Sequence, residues 1–262
     1  MITSIMALTA GKLSVKITDM QTPIIIPFAP NNFGKTCLLH RIVHYLRSNG
    51  FLLKLDMLFL PPHVIQYSNV CVEYMDALCT NCSPCATAIP VLGKIMYNSK
   101  TIVQFIDFPG NFLYDTFNPR KPSALKEILA SSNKKIWLFL LDLDRLDGQF
   151  ERTNYSERIR EVAAHISSND KIIIVINKID MYSRSLKSKE DLIQAIYHQY
   201  PTVLNCFKNQ NPITKLWRPF NCDIIPFTAG LFCRTYDNKE VFQPGLDTYP
   251  KQLWKSVSKS FR

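Results

Sequence analysis

The chain has 262 residues, 47% of them hydrophobic, and carries a formal net charge of +10. That length can bury one substantial core. No apolar run approaches the roughly 20 residues of a membrane helix. Nothing repeats at a fixed period and no Gly/Ser/Pro-rich linker divides the chain, so a single domain over residues 1–262 is expected. The first ten residues have the apolar character of a secretory leader, but they lack a basic start and Lys12 and Lys16 interrupt them. A cytoplasmic protein is therefore expected, with its eight cysteines as thiols or metal ligands. The positive charge favours phosphate-rich or acidic partners, including nucleic acid and anionic lipid, or is simply a soluble basic surface.

Residues 12–19 alternate apolar and polar like an edge strand, and residues 23–28 are wholly apolar, like a strand buried on both faces. After a polar turn, residues 36–46 have helical spacing and stop before Asn49 and Gly50. Strands are predicted at 101–107, 135–141, 171–176 and 223–227. Helices are predicted at 123–130, at 156–166, from Ser188 onward, and at 249–261. A hairpin is expected over 89–106, turning at Asn98 to Lys100. Strands alternating with helices predict an α/β fold, a mostly parallel central sheet with helices on both faces. Such folds bind ligands at the carboxyl ends of their strands.

Three motifs fall at those ends. Ala29, Pro30, Asn31, Asn32, Phe33, Gly34, Lys35 and Thr36 fit a phosphate loop in which Ala29 replaces the first glycine. The chemistry requires backbone N–H groups curled around a phosphate, a lysine for the β- and γ-phosphates and a hydroxyl for Mg²⁺. The helix that follows, with Cys37 in its first turn, adds its positive end. Asp107, two residues before Pro109 and three before Gly110, can hold Mg²⁺ through water while the Gly110 N–H meets the γ-phosphate. Asn177, Lys178 and Asp180 follow another strand. An acidic group there accepts both the ring N–H and the exocyclic amine of guanine, a pair that adenine cannot return.

Gly-Lys-Thr, Asp-x-x-Gly and Asn-Lys-x-Asp, in this order and after successive strands, resemble the translation-factor-related (TRAFAC) class of P-loop GTPases over residues 20–262. The resemblance implies that Lys35 contacts the β- and γ-phosphates, that Thr36 and Asp107 serve Mg²⁺, and that Asn177 and Asp180 select guanine. Thr228, Ala229 and Gly230 are similar to that class's fifth loop, which touches the guanine oxygen. Asn32 and Pro109 resemble the branch containing Era and the tRNA-modification GTPase, in which that asparagine helps hold K⁺. The segment after Ala229, closing on Pro250 to Trp254, is similar to bacterial double-GTPase and Rab-like conflict-system proteins, the branch favoured here.

Two departures bear on turnover. Asn111 stands where many members of the class carry a longer glutamine that orients the attacking water, so slow hydrolysis, or a group supplied by a partner, is expected. The threonine that should reach Mg²⁺ lies between Thr36 and Asp107. Thr87 fits best and Thr80 second, in a Cys-containing insertion over about residues 50–88. There Cys71, Cys79, Cys82 and Cys85 either hold zinc or an iron–sulfur cluster, or are incidental thiols of a flexible loop. Cys37, Cys206, Cys222 and Cys233 read as small core residues. Lys251, Lys255, Lys259 and Arg262 share one face of the closing helix, either to lie on an anionic membrane or as the solvated side of a packed helix. His40 and His44 read as core packing, and Asp142, Asp144 and Asp147 as loop residues after a buried strand. The expected activity is Mg²⁺-dependent hydrolysis of GTP to GDP by a switch that signals to a protein effector or regulator. The alternatives are a non-hydrolysing GTP-binding module and a nucleic-acid-binding GTPase.

Overall fold

The computed structural model describes residues 17, 19–55, 72–74, 76, 78, 91–108, 110, 128–143, 149–182, 186, 188–234 and 240–261. Its centre is a seven-stranded sheet in the order β2-β3-β4-β1-β5-β6-β7. These strands are β1 (Ile24–Phe28), β2 (Leu52–Leu55), β3 (Val91–Tyr97), β4 (Lys100–Asp107), β5 (Lys135–Asp142), β6 (Lys171–Asn177) and β7 (Asp223–Pro226). The five from β4 to β7 run parallel, while β3 lies antiparallel to β4 and β2 antiparallel to β3. All five residues of β1 and all eight of β5 are buried. An alternating strand would expose one face, so continuous burial means that both faces of the sheet are covered.

The chain passes from β1 to β4 on one side of β1 and then to β5 on the other. That reversal opens a crevice at the carboxyl end of β1, the place where open α/β sheets bind ligands. The turn entering β1 is held from two neighbours. The side-chain amides of Gln104 and Asn133 both donate to the carbonyls of Asp19 and Thr22, at 2.7 to 3.1 Å. Asp19 begins this turn and not a strand, and the rest of the predicted strand 12–19, apart from Ile17, lies outside the described residues.

Helix α1 (Lys35–Ser48) follows β1 directly. Helix α2 (Gln149–Ala163) begins seven residues before the predicted start at Ser156. Ser156 does not cap it. Its hydroxyl donates back to the Arg152 carbonyl at 2.8 Å, the bond a serine makes inside a helix. Tyr155, Ile159 and Val162 form the buried stripe of α2 at helical spacing. Helix α3 (Lys189–Gln199) opens on a capping box, with Asp191 N–H donating to Ser188 Oγ and Ser188 N–H to Asp191 Oδ2. The closing helix α4 (Thr248–Ser258) continues as a 3-10 turn through Phe261. It buries Pro250, Leu253 and Val257 and leaves Lys251, Lys255 and Lys259 exposed, so its apolar face is spent on the core. Of the predicted helix 123–130, residues 128–130 are described and are helical.

The predicted hairpin forms, with Asn98 and Ser99 at φ 48° and 62°, the pair of left-handed residues that a two-residue turn needs. Two strand features lie outside the predicted elements. Leu52–Leu55, at the start of the segment read as an insertion, pair with β3 as the edge of the main sheet. After Ala229, β8 (Gly230–Arg234) and β9 (Glu240–Pro244) form a separate antiparallel ribbon. Phe242 of β9 is buried, and the rings of His40 and His44 meet it edge-on at 4.4 and 6.0 Å, which makes these histidines packing groups. The fully buried Arg41 donates Nη2 to the Gly245 carbonyl and pairs with Asp247 at 2.6 Å, which ties α1 to the turn entering α4.

Candidate functional site

Residues 29–34 turn from the end of β1 into α1, and two left-handed residues make the curl. Asn32 has φ 64° and Gly34 φ 84°. Asparagine tolerates this region better than most residues, because its short side chain bonds locally. The other non-glycine residues with positive φ among those described are Asn98, Ser99 and Lys178, so Ala29 has an ordinary backbone and carries no strain. Phe33 is buried and packs edge-on against the Tyr155 ring at 5.3 Å. The Tyr155 hydroxyl donates in turn to the Phe28 carbonyl at 2.6 Å, which pins the loop to α2.

Lys35 lies folded across the loop, with Nζ donating to the carbonyls of Ala29 and Pro30 at 2.9 Å each. It is 7% exposed. Burial pulls its pKa down to about 8, against the opposing pull of Asp107. An anionic group in the curl would supply the charge partner that burial withholds. The first turn of α1 has no acidic residue to compete for that place.

Asp107 closes β4 and is fully buried. Its Oδ2 accepts from the Thr36 hydroxyl at 3.1 Å and from the Tyr74 hydroxyl at 2.9 Å. A carboxylate and a hydroxyl converging within hydrogen-bond reach form a hard-oxygen pair, which fits the donor preference of Mg²⁺. Tyr74 is the residue that sequence reasoning missed. It shares a long stretch with Tyr67, and nothing in its spacing marks it. Gly110 packs against the phosphate loop, where a Cβ would fall 2.3 Å from Asn31 Oδ1 and 2.4 Å from its backbone nitrogen. Only glycine fits that approach.

The third motif is built from the end of β6. Asn177 is buried, and its Nδ2 donates to the Phe33 carbonyl at 2.8 Å, crossing from this turn to the phosphate loop. A Cβ on Gly34 would come within 2.5 Å of the same nitrogen. Lys178 sits at φ 56°. That conformation is held from both sides: Nζ pairs with the buried Asp142 at 2.6 Å, and the next amide, Ile179 N–H, donates to the Phe227 carbonyl. Asp142 thus positions Lys178, a role its place at a strand end did not reveal. Asp180 is exposed in the turn Ile179–Tyr182. Thr228 and Ala229 are buried at the end of β7. Gly230, at φ 117°, passes so close to Gln243 and Gly245 that a Cβ would strike backbone at 2.2 Å.

Residues Pro30 to Thr36, Asp107, Gly110, Asn177, Lys178, Asp180 and Thr228 to Gly230 therefore all lie at the carboxyl ends of parallel strands, in the turns that follow, or in the first residues of the next element. The fold is α/β, a mostly parallel sheet with these residues gathered at one end. Solved structures similar to this domain include a nucleolar GTP-binding protein 1 from Plasmodium falciparum, 15% identical over 95% of this chain and 90% of that one, with a TM-score of 0.49. A structure of the chloroplast translocon components atToc33 and psToc159 is 11% identical over 92% of this chain and 83% of that one, with a TM-score of 0.49. The S. cerevisiae Ski7 GTPase-like domain, bound to GTP, is 18% identical over 100% of this chain and 53% of that one, with a TM-score of 0.47. No protein-family model and no curated relative matches the sequence.

Thr87, Thr80, Pro109, Asn111, Asp144, Asp147 and the cysteines at 71, 79, 82 and 85 lie outside the described residues. Among the described residues no group of three or more His, Cys, Asp or Glu side chains converges as a metal site. Cys222 is buried, and burial raises its thiol to about 12, so it is inert. Cys37, Cys206 and Cys233 are half-buried.

Proposed function

We propose that this domain binds GTP and GDP, with Mg²⁺ held by Thr36 and Asp107, and hydrolyses GTP slowly as a switch read by a protein partner. The observation that carries the reading is the bond from Asn177 Nδ2 to the Phe33 carbonyl. A loop that binds only phosphate has no need of a fixed base-reading turn. Here the two are joined as one body, so a nucleotide that spans them meets a preorganised site and less ordering entropy is lost on binding. Lys35, short of a charge partner in its buried setting, gains one from the β- and γ-phosphates. Asp180 pairs with guanine, and an adenine in its place leaves the carboxylate unmatched, at a cost of about 1–3 kcal/mol. Transfer is to water, with charge spread over the loop amides and Lys35, and the metal when bound neutralises part of it. Asn111 is a shorter group than the glutamine that orients water in many such proteins, hence the slow rate.

Titration with fluorescent GTP, GDP and ATP tests the base preference, and equal affinity for ATP would remove it. Asp180→Asn replaces an acceptor by a donor, so its preference should move from guanine toward xanthine nucleotides. Phosphate release measured in K⁺ and in Na⁺ tests turnover. The Tyr74 hydroxyl seated on Asp107 favours a second reading, binding without turnover. GTP bound with no phosphate released in either salt selects it.

A further inference from the structure

Between α3 and β7 the chain leaves the body of the molecule. Lys208 bridges to Phe220, Asn209 N–H donates to the Pro219 carbonyl, and every residue from Asn211 to Pro219 is exposed. At the tip Ile213 is 66% exposed, Leu216 80% and Trp217 74%. Single exposed apolar residues are ordinary, but three large ones within five positions are not.

The tip is held in this shape. The buried Asn209 donates Nδ2 to Thr214 Oγ1 at 2.7 Å and to the Arg218 carbonyl at 3.0 Å. Asn211 Oδ1 accepts from the amides of Ile213 and Thr214. Arg218 N–H closes the turn on the Thr214 carbonyl at 2.8 Å. The apolar side chains are thus presented on a frame built by polar ones, and little ordering remains when they enter an apolar phase.

The surroundings are basic. The segment feeds the amino end of β7, the sheet end opposite the nucleotide loops. Lys208, Lys215 and Arg218 are exposed on the segment itself. At its base Asp223 is bracketed by Lys171 at 2.6 Å and Arg218 at 3.9 Å. Ser256 of α4 donates to the same carboxylate, which brings the exposed Lys255 and Lys259 to this end. Lys134 reaches the Ser260 carbonyl here as well.

We propose that this end of the molecule docks on an anionic membrane surface, with Ile213, Leu216 and Trp217 entering the headgroup region and the lysines and Arg218 meeting lipid phosphates. Tryptophan favours that boundary, and each cation near an anionic leaflet adds to the attraction. A nucleic-acid surface would place cations and stacking rings at the tip, whereas two of these three groups are aliphatic. The closing helix contributes its basic face alone, since its apolar face is buried. Docked in this way, the protein holds its nucleotide loops away from the bilayer.

The test is flotation of the full chain with phosphatidylcholine vesicles, with and without about 30% phosphatidylserine. Binding to the anionic vesicles only, falling with added salt, is expected. Trp217 fluorescence should shift to the blue on binding, because Trp137 is fully buried and Trp254 partly so. Leu216→Ser with Trp217→Ser should cut the bound fraction at least tenfold at an unchanged melting temperature, and Lys215→Glu should cut it less. Equal binding to neutral vesicles overturns the proposal, as does unchanged binding by the double variant. Absence of vesicle binding, with the same substitutions abolishing RNA binding or self-association instead, overturns it in favour of those partners.

Discussion

The two ends of the central sheet break the ordinary rule of burial in opposite senses. At the carboxyl end charged and polar groups are buried: Lys35, Asp107, Asp142 and Asn177 are each less than 9% exposed. At the amino end large apolar groups are out in water, at Ile213, Leu216 and Trp217. Buried polar groups cost stability unless they find partners. Lys35 finds them within its own loop, while Asp107, Asp142 and Asn177 find them on other segments, which fixes the loops relative to one another. Exposed apolar groups cost almost nothing in the isolated protein, because the unfolded chain exposes them too. The carboxyl end is therefore energetically tense and coupled to the fold, and the apolar tip at Ile213, Leu216 and Trp217 is nearly independent of it. Substitutions should separate them accordingly.

The largest effect is expected from Lys35→Met. Triphosphate affinity should fall at least about 100-fold, from the loss of charge-assisted bonds. Thermal stability should hold or rise, because a buried ammonium with a depressed pKa is replaced by an apolar chain of similar volume. Parallel fluorescence titration and thermal melts decide it, and a loss of stability would mean that the lysine's loop contacts outweigh its burial. Asn177→Ala should do the reverse, costing about 1–3 kcal/mol of stability even without nucleotide because the Phe33 carbonyl loses its partner. For a chain of this size that is a melting shift of roughly 2–10 °C.

A smaller effect, tied to pH, belongs to Asp223. Burial raises its pKa, but the hydrogen bonds from Lys171 and Ser256 and the charges of Lys171 and Arg218 outweigh burial and hold the carboxyl below its usual range. A carboxyl lowered by folding stabilises the protein above its unfolded pKa and loses that contribution as pH falls through the folded value. Asp223→Asn should cost about 1 kcal/mol at neutral pH, and its difference from the parent should shrink as the pH drops below about 4. Melting curves over that range check the sign. Trp217→Ser should be the mildest, within about 0.5 kcal/mol of the parent in stability. A larger drop would mean that the tip is a structural part and not a presented surface.

The sequence by itself determined the buried strands of the central sheet and the order of the motifs. Ile24 to Phe28, Lys135 to Leu141 and Lys171 to Ile176 could be read because apolar runs of strand length, bounded by polar turns, have few other solutions in water. The start of the helix predicted over 156–166 was missed because Gln149 to Asn154 are mostly polar and give little apolar periodicity to read. The ribbon after Ala229 and the edge strand Leu52–Leu55 went unpredicted because their partners, Phe242 on α1 and β3 beside β2, lie far away in the chain. The same holds within the site. Lys35, Thr36, Asp107, Asn177 and Asp180 could be picked out as candidates because phosphate, Mg²⁺ and guanine would each require one residue type at a fixed offset from a strand end. Only the tertiary structure decided that Tyr74 reaches Asp107, that Asp142 holds Lys178, that Asn177 closes on Phe33, and that Ile213, Leu216 and Trp217 stay outside. Those are contacts, or their absence, between residues with no shared periodicity, and no local pattern encodes which surface the folded chain brings alongside.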